Sequence, residues 1–169
     1  MRKQKGFSLI ELLIVVAIIL IIAAIAIPNL LRSRIAANEA SAVGSMRTIN
    51  TAEVTYASTY PEQGFATSLA ILGGTGTSAS SANALLLDGV LGAASPGGDT
   101  SGNANPKSGY KFWVTASGSI PVPTYTANGN PITEDQTGKR YFFTDASGVL
   151  RYNASSGITA ATADDLPLQ

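Results

Sequence analysis

The residues that decide the organisation of this chain are Lys5–Leu31, which read KGFSLIELLIVVAIILIIAAIAIPNLL. No residue from Leu12 to Ile27 is polar, and back to Phe7 the apolar run is interrupted only by Ser8 and Glu11. At about 1.5 Å rise per residue, a helix of this length just crosses the hydrocarbon core of a bilayer. The sequence therefore predicts a membrane-spanning helix that contains a carboxylate.

That carboxylate, Glu11, lies near the beginning of the apolar run. An acid inside a membrane span is energetically costly, and it usually faces a partner and serves a function. Because Glu11 is close to the end of the span, its side chain could instead reach the lipid headgroups. Both interpretations remain open at this stage.

The basic hexapeptide MRKQKG ends in a glycine directly before Phe7. The sequence Gly6-Phe7-Ser8-Leu9-Ile10-Glu11 resembles the class III leader and cleavage site of type IV pilins and the related pseudopilins. The resemblance continues to about Tyr60, because RSRIAANEASAVGSMRTINTAEVTY is similar to the second half of a pilin spine helix. It implies an α+β fold in which a long N-terminal spine helix packs on a small antiparallel β-sheet head.

The resemblance also implies a role for several residues. A prepilin peptidase is expected to cleave between Gly6 and Phe7, and the new N-terminal amine of Phe7 is expected to be methylated. Glu11 would pair with that amine, in its own subunit or in a neighbouring one, and so set the subunit register. An assembly ATPase and a platform protein would then build a homo-oligomeric filament.

The resemblance and the charges together predict a location. Residues 1–6 are a positively charged leader that should stay cytoplasmic by the positive-inside rule. The precursor would be a single-pass protein of the bacterial inner membrane, and the mature subunit would lie in an extracellular filament.

Two other functions are considered. The first is a pseudopilin of a type II secretion system, which would stay in the periplasm. Major pseudopilins usually carry an Asp-Pro-Trp-Gly type sequence after the helix, whereas Trp113 lies in Phe-Trp-Val, and this difference favours the pilus. The second is a signal-anchored surface binding module or enzyme. Ala24-Ile25-Ala26 fits a signal cleavage site, but the apolar run is longer than usual and Glu11 would be unexplained.

Pro28 lies inside the predicted helix, where it removes the hydrogen bond to the carbonyl of Ala24 and predicts a kink. Pro61 predicts the end of the helix. The helix then has a transmembrane and polymerisation half, residues 7–30, and an amphipathic half, residues 31–60.

The amphipathic half carries one apolar stripe at helical spacing. It comprises Leu31, Ile35, Ala42, Met46, Ile49, Tyr56 and Tyr60. Glu39 and Glu53 fall at the same spacing, so either the edge of the stripe is wet or these acids meet cations.

The rest of the chain divides at about residue 110. Residues 61–109 form a Gly/Ser-rich loop between helix and sheet, in which Ala84–Leu91 could make a helical turn or a short docking strand. Residues 110–169 form the antiparallel sheet and the C-terminal tail. We expect three or four strands packed on the apolar stripe of the helix.

The expected strands follow from alternating side chains and turn residues. They lie at Tyr110–Thr115, at residues 122–127, and in the hairpin of Arg140–Thr144 with Val149–Tyr152. Asn128–Pro131 is interpreted as a turn.

Composition excludes several functions. The chain has no cysteine and no histidine, which excludes disulfides, thiol nucleophiles and histidine general bases. Removing Arg2, Lys3 and Lys5 leaves eight of the eleven basic residues against eleven acidic ones, a net charge of about −3, so nucleic-acid binding is not expected. No phosphate loop or nucleophile elbow is present, so no enzyme is predicted.

No cofactor is expected, although calcium is considered because carboxylates on loops suit it. The candidate ligands are Asp99, Asp145, Asp164 and Asp165. Their spacing matches no known ion-binding loop, and calcium enters mainly through the pseudopilin relatives.

Overall fold

The computed structural model describes residues 7–74, 77–92, 105–116, 118–154 and 162–168. The chain divides into two compact units, and the division falls between Arg34 and Ile35. Helix α1, Leu9–Thr59, contributes residues to both units. The expected end of this helix before Pro61 is confirmed, because Thr59 is its last residue.

The second unit contains a short helix and a sheet. Helix α2 spans Leu69–Leu72 and was not predicted. The strands are β1 Asn105–Lys107, β2 Tyr110–Ala116, β3 Tyr125–Pro131, β4 Tyr141–Asp145, β5 Arg151–Asn153 and β6 Leu166–Pro167. They form one antiparallel sheet in sequence order, which confirms the α+β architecture but exceeds the predicted three or four strands.

The core of this unit lies between the stripe of α1 and one face of the sheet. Ala42, Met46 and Ile49 are fully buried there. They form one cluster with Phe112 of β2 and Phe142 of β4. The amphipathic stripe is thus confirmed where α1 meets the sheet, whereas Leu31 at its beginning remains 42% exposed.

The interpretation of Asn128–Pro131 as a turn was wrong, because these residues belong to β3. Gly129 pairs with Phe112 on one side and with Phe142 on the other. A Cβ atom at Gly129 would lie 3.0 Å from the Phe112 ring and 3.2 Å from the sulfur of Met46. Glycine is therefore used here so that the helix can pack closely on the sheet, and not to form a turn.

The predicted loop, residues 61–109, extends too far toward the C-terminus, because strand β1 lies within this range. Ser108 and Gly109 join β1 to β2 with φ angles of 50° and 75°, as a two-residue hairpin turn requires. The segment Ala84–Leu91 forms neither helix nor strand. It docks through backbone hydrogen bonds, among them Ala84 N–H to the Ile71 carbonyl (2.8 Å) and Leu86 N–H to the Leu72 carbonyl (2.7 Å).

The predicted hairpin at Arg140–Tyr152 is confirmed. Strands β4 and β5 pair antiparallel, with Phe142 opposite Tyr152. The tail returns to the sheet at β6, where Leu166 lies opposite Tyr152. The Leu168 N–H also donates to the Leu150 carbonyl (2.7 Å).

Candidate assembly site

The first turn of α1 contains the acid that the sequence singled out. The backbone N–H of Ser8 donates to Oε2 of Glu11 (3.3 Å). This is one half of a capping box, in which an acid three residues after the cap accepts from the cap's own N–H. Sequence reasoning missed this role, although the spacing Ser-x-x-Glu contains the signal.

The apolar surface of α1 is uncovered along the first unit. Its large apolar side chains are exposed by between 42% (Leu31) and 77% (Leu9). Within the described residues, α1 is long and apolar enough to cross a membrane. Such a surface is stable when lipid tails or other apolar helices cover it.

The predicted site residues of the first unit lie along this helix. Phe7 precedes α1 and is 84% exposed, and Glu11 is in the first turn. Pro28 is in the interior of the helix, and the residues on both sides of it are helical. Gly6 and the rest of the leader lie outside the described residues.

We predict that the helix bends or locally unwinds near Ala24–Pro28 when the apolar segments pack together in a filament. A proline in a helix interior lacks one hydrogen bond and crowds the preceding turn, a cost of about 3 kcal/mol that bending relieves. Pro28→Ala should straighten the segment. Density maps of wild-type and Pro28→Ala filaments would check this, and a straight helix through Pro28 in the wild type would contradict it.

In the second unit, the two acids on the stripe have different surroundings. Oε2 of Glu39 forms an ion pair with Nε of Arg140 (2.7 Å). Its Oε1 accepts the backbone N–H groups of Lys139 (2.9 Å) and Arg140 (3.2 Å). Glu39 therefore meets a cation, one of the two outcomes left open by the sequence.

Glu53 neither lies at a wet edge of the stripe nor meets a cation among the described residues. It is completely buried, and its Oε2 accepts the N–H of Ala66 (2.9 Å). Burial raises the pKa of this carboxyl to about 8, and the hydrogen bond from Ala66 opposes the rise. A neutral acid in the core explains how Glu53 can occupy a dry position on the stripe.

Two of the candidate calcium ligands make contacts within the chain. Asp145 accepts the N–H of Ser147 (2.8 Å), and Asp165 accepts the side-chain amide of Asn153 (2.7 Å) and the N–H of Thr162 (2.6 Å). Across the described ranges no group of three or more acidic side chains is placed to hold a metal ion. Asp99 lies outside those ranges, and calcium binding at Asp145, Asp164 or Asp165 remains an untested expectation.

The known proteins to which this chain is similar match its N-terminal segment. Residues 1–27 match the family model of the prokaryotic N-terminal methylation motif. The chain is 67% identical over 39 residues to the type IV wide pilus major component PilA4 of Thermus thermophilus, which covers 23% of this chain and 30% of that protein. It is 43% identical over 54 residues to the type IV major pilin protein PilA of Myxococcus xanthus, covering 32% of this chain and 24% of that protein.

The N-terminal segment thus carries the methylation motif of prokaryotic pilins. The matches span less than a third of the length of each relative. No solved structure matches the chain significantly.

Proposed function

We propose that this chain is a pilin, the structural subunit of a type IV pilus-like filament that polymerises through its N-terminal helix. The observation that supports this most is the uncovered apolar surface of α1 from Leu9 to Leu31, which contains a single acid, Glu11. A surface of this kind suits a bilayer before assembly and a bundle of identical helices afterwards. The relatives that match this segment are pilus components.

The processing steps follow from this proposal. The precursor is held in the inner membrane with leader residues 1–6 in the cytoplasm. A prepilin peptidase removes the leader after Gly6, and the Phe7 amine is methylated. An assembly ATPase and a platform protein then move the subunit from the membrane into an extracellular filament.

Glu11 sets the register between subunits in this proposal. A carboxylate in an apolar bundle requires a nearby cation, and processing removes the basic leader residues. Arg32 is about six helical turns along the same helix and cannot reach Glu11. The Phe7 amine of a neighbouring copy supplies a cation at the matching depth.

The proposal is tested by the N-terminus of the mature protein. We expect sheared surface filaments to contain this chain beginning at a methylated Phe7, as measured by mass spectrometry. Gly6→Leu should leave uncleaved protein in the membrane, because a bulky side chain then sits at the scissile bond. Gly44→Ala is a matched control, because a Cβ there meets no atom within 4 Å, and it should be processed normally.

Two results would contradict the proposal. A mature protein that begins at Ile27 would indicate cleavage by an ordinary signal peptidase and a surface module. Processed protein that stays in the periplasm and is absent from surface filaments would indicate a secretion pseudopilin.

A further inference from the structure

We propose that Glu53 is a proton-dependent latch, which holds the segment Gln63–Ala66 against α1 while its carboxyl is neutral and releases the segment when it ionises. The side chain is completely buried on the sheet-facing stripe of α1. Its Oε2 accepts the N–H of Ala66, thirteen residues further along the chain (2.9 Å). Its Oε1 has no hydrogen-bond partner in the part of the chain that the structure describes.

Among the residues that the structure describes, the side chains around Glu53 provide no compensating positive charge. On its own helix the titratable neighbour is Tyr56, whose hydroxyl donates to the Ser81 carbonyl (2.6 Å). From the sheet the titratable neighbour is Tyr125 of β3, whose hydroxyl donates to Oδ1 of Asn50. Both hydroxyls are therefore committed elsewhere.

Tyr125 has a further negative charge near it. Burial raises the pKa of Tyr56 and of Tyr125, and Asp145 of β4 raises the pKa of Tyr125 further. The ion pairs among the described residues join Lys107 to Asp88, Lys139 to Asp135 and Arg140 to Glu39, and none includes Glu53. An ionised Glu53 would thus be a buried charge with one N–H as its support, which is costly.

The segment that Glu53 holds is also joined to the chain before β3. The Phe65 N–H donates to the Val122 carbonyl (3.1 Å), and the Val122 N–H donates to the Gln63 carbonyl (2.8 Å). The rings of Phe65 and Tyr125 are 4.9 Å apart. Opening of Gln63–Ala66 therefore breaks these contacts, removes Ala66 from the core cluster and lets water reach the carboxylate.

The direction of the pH effect follows from proton linkage. In the closed state burial raises the pKa of Glu53 to about 8, whereas an open, hydrated carboxyl has the ordinary value of 4.5. The closed state is fully favoured below pH 4.5, loses its advantage as pH rises, and has lost it once pH exceeds 8. Between pH 6 and pH 9, the ratio of open to closed segments should rise about a hundredfold.

The test is NMR spectroscopy of the full chain in detergent micelles. Labelling glutamate with ¹³C reports the ionisation of the side-chain carboxyl groups, and the amide signals report hydrogen exchange. We expect the side-chain carboxyl carbon of Glu53 to titrate near pH 8. The protection of the Ala66 amide against hydrogen exchange, corrected for the intrinsic rate, should fall about a hundredfold between pH 6 and pH 9.

Two variants distinguish the proposed effect of Glu53 from a general loosening of the protein at high pH. Glu53→Gln stays neutral and keeps an oxygen for the Ala66 N–H, so it should abolish the pH dependence of Ala66 protection. Glu62→Gln removes an exposed acid next to the segment and should leave that dependence unchanged. Titration of Glu53 between pH 4 and 5, or the same pH dependence in Glu53→Gln, would overturn the proposal.

Discussion

Glu11→Gln and Glu11→Val are expected to enter the membrane and lose their leader like the wild type, yet to form few or no filaments. In the proposed filament, removing the acid leaves the Phe7 amine of a neighbouring subunit buried without a partner, which costs about 3–5 kcal/mol. That loss corresponds to more than a hundredfold in the association constant for each added subunit. Monomers in the bilayer should be no less stable, because a costly buried acid has been removed.

The two substitutions separate the charge of Glu11 from its contact with Ser8. Glutamine can still accept the Ser8 N–H that Glu11 Oε2 accepts, whereas valine cannot. If register depends on charge, both variants should fail to the same extent. If only Glu11→Val fails, the helix cap is the important feature, and the proposed pairing between subunits is wrong.

The measurement compares processed protein in the membrane with protein in sheared surface filaments. Leu12→Val is a suitable control, because it changes an exposed apolar side chain of the same turn without changing the charge. It should leave the ratio of filament to membrane protein near the wild-type value. Wild-type abundance and symmetry of Glu11→Gln filaments would contradict a role for this acid in register.

Helix α1 and the β4–β5 hairpin could be predicted from the sequence, because each follows from a pattern of neighbouring residues. Helix α1 follows from an unbroken apolar run, the stripe beyond it and the stop at Pro61. The β4–β5 hairpin follows from alternation on both sides of a short polar loop. In both cases residues near in sequence determine the structure.

The rest depends on contacts between distant residues. Asn128-Gly129 has the composition of a turn, and only Met46 and Phe112 packed against Gly129 explain why it lies in a strand. The spacing of the stripe placed Glu39 and Glu53 toward the core without showing what they meet. Arg140 pairs with Glu39 across 101 positions, and the sequence alone gives no sign of this contact.

The Glu39–Arg140 contact gives the second large effect, a loss of stability in the second unit. Glu39 is 9% exposed in its side chain and accepts two backbone N–H groups in addition to the guanidinium. The guanidinium carbon of Arg140 also lies 5.7 Å from the ring centre of Phe142 and 5.5 Å from that of Tyr152. One carboxylate thus joins α1 to the beginning of β4.

Glu39→Ala is expected to lower the free energy of unfolding by about 3 kcal/mol, because it leaves both N–H groups and the guanidinium without their acceptor. This loss lies at the lower end of the range for buried pairs, because Arg140 is 36% exposed. Glu39→Gln keeps one oxygen for the N–H groups and should lose about half as much. Glu62→Ala, an exposed acid outside these contacts, should change stability by less than about 0.5 kcal/mol.

The measurement is unfolding of the full chain in micelles, followed by the fluorescence of Trp113, the only tryptophan. A double-mutant cycle with Arg140→Ala separates the ion pair from the backbone contacts. If the pair acts as the structure indicates, Glu39→Ala should cost less in the Arg140→Ala background than in the wild type, because the guanidinium is no longer left unpaired. Equal costs in the two backgrounds would mean that Glu39 stabilises the unit only through the N–H groups of Lys139 and Arg140. A cost of Glu39→Ala below 1 kcal/mol in the wild type would contradict the inference that Glu39 stabilises the contact between α1 and β4.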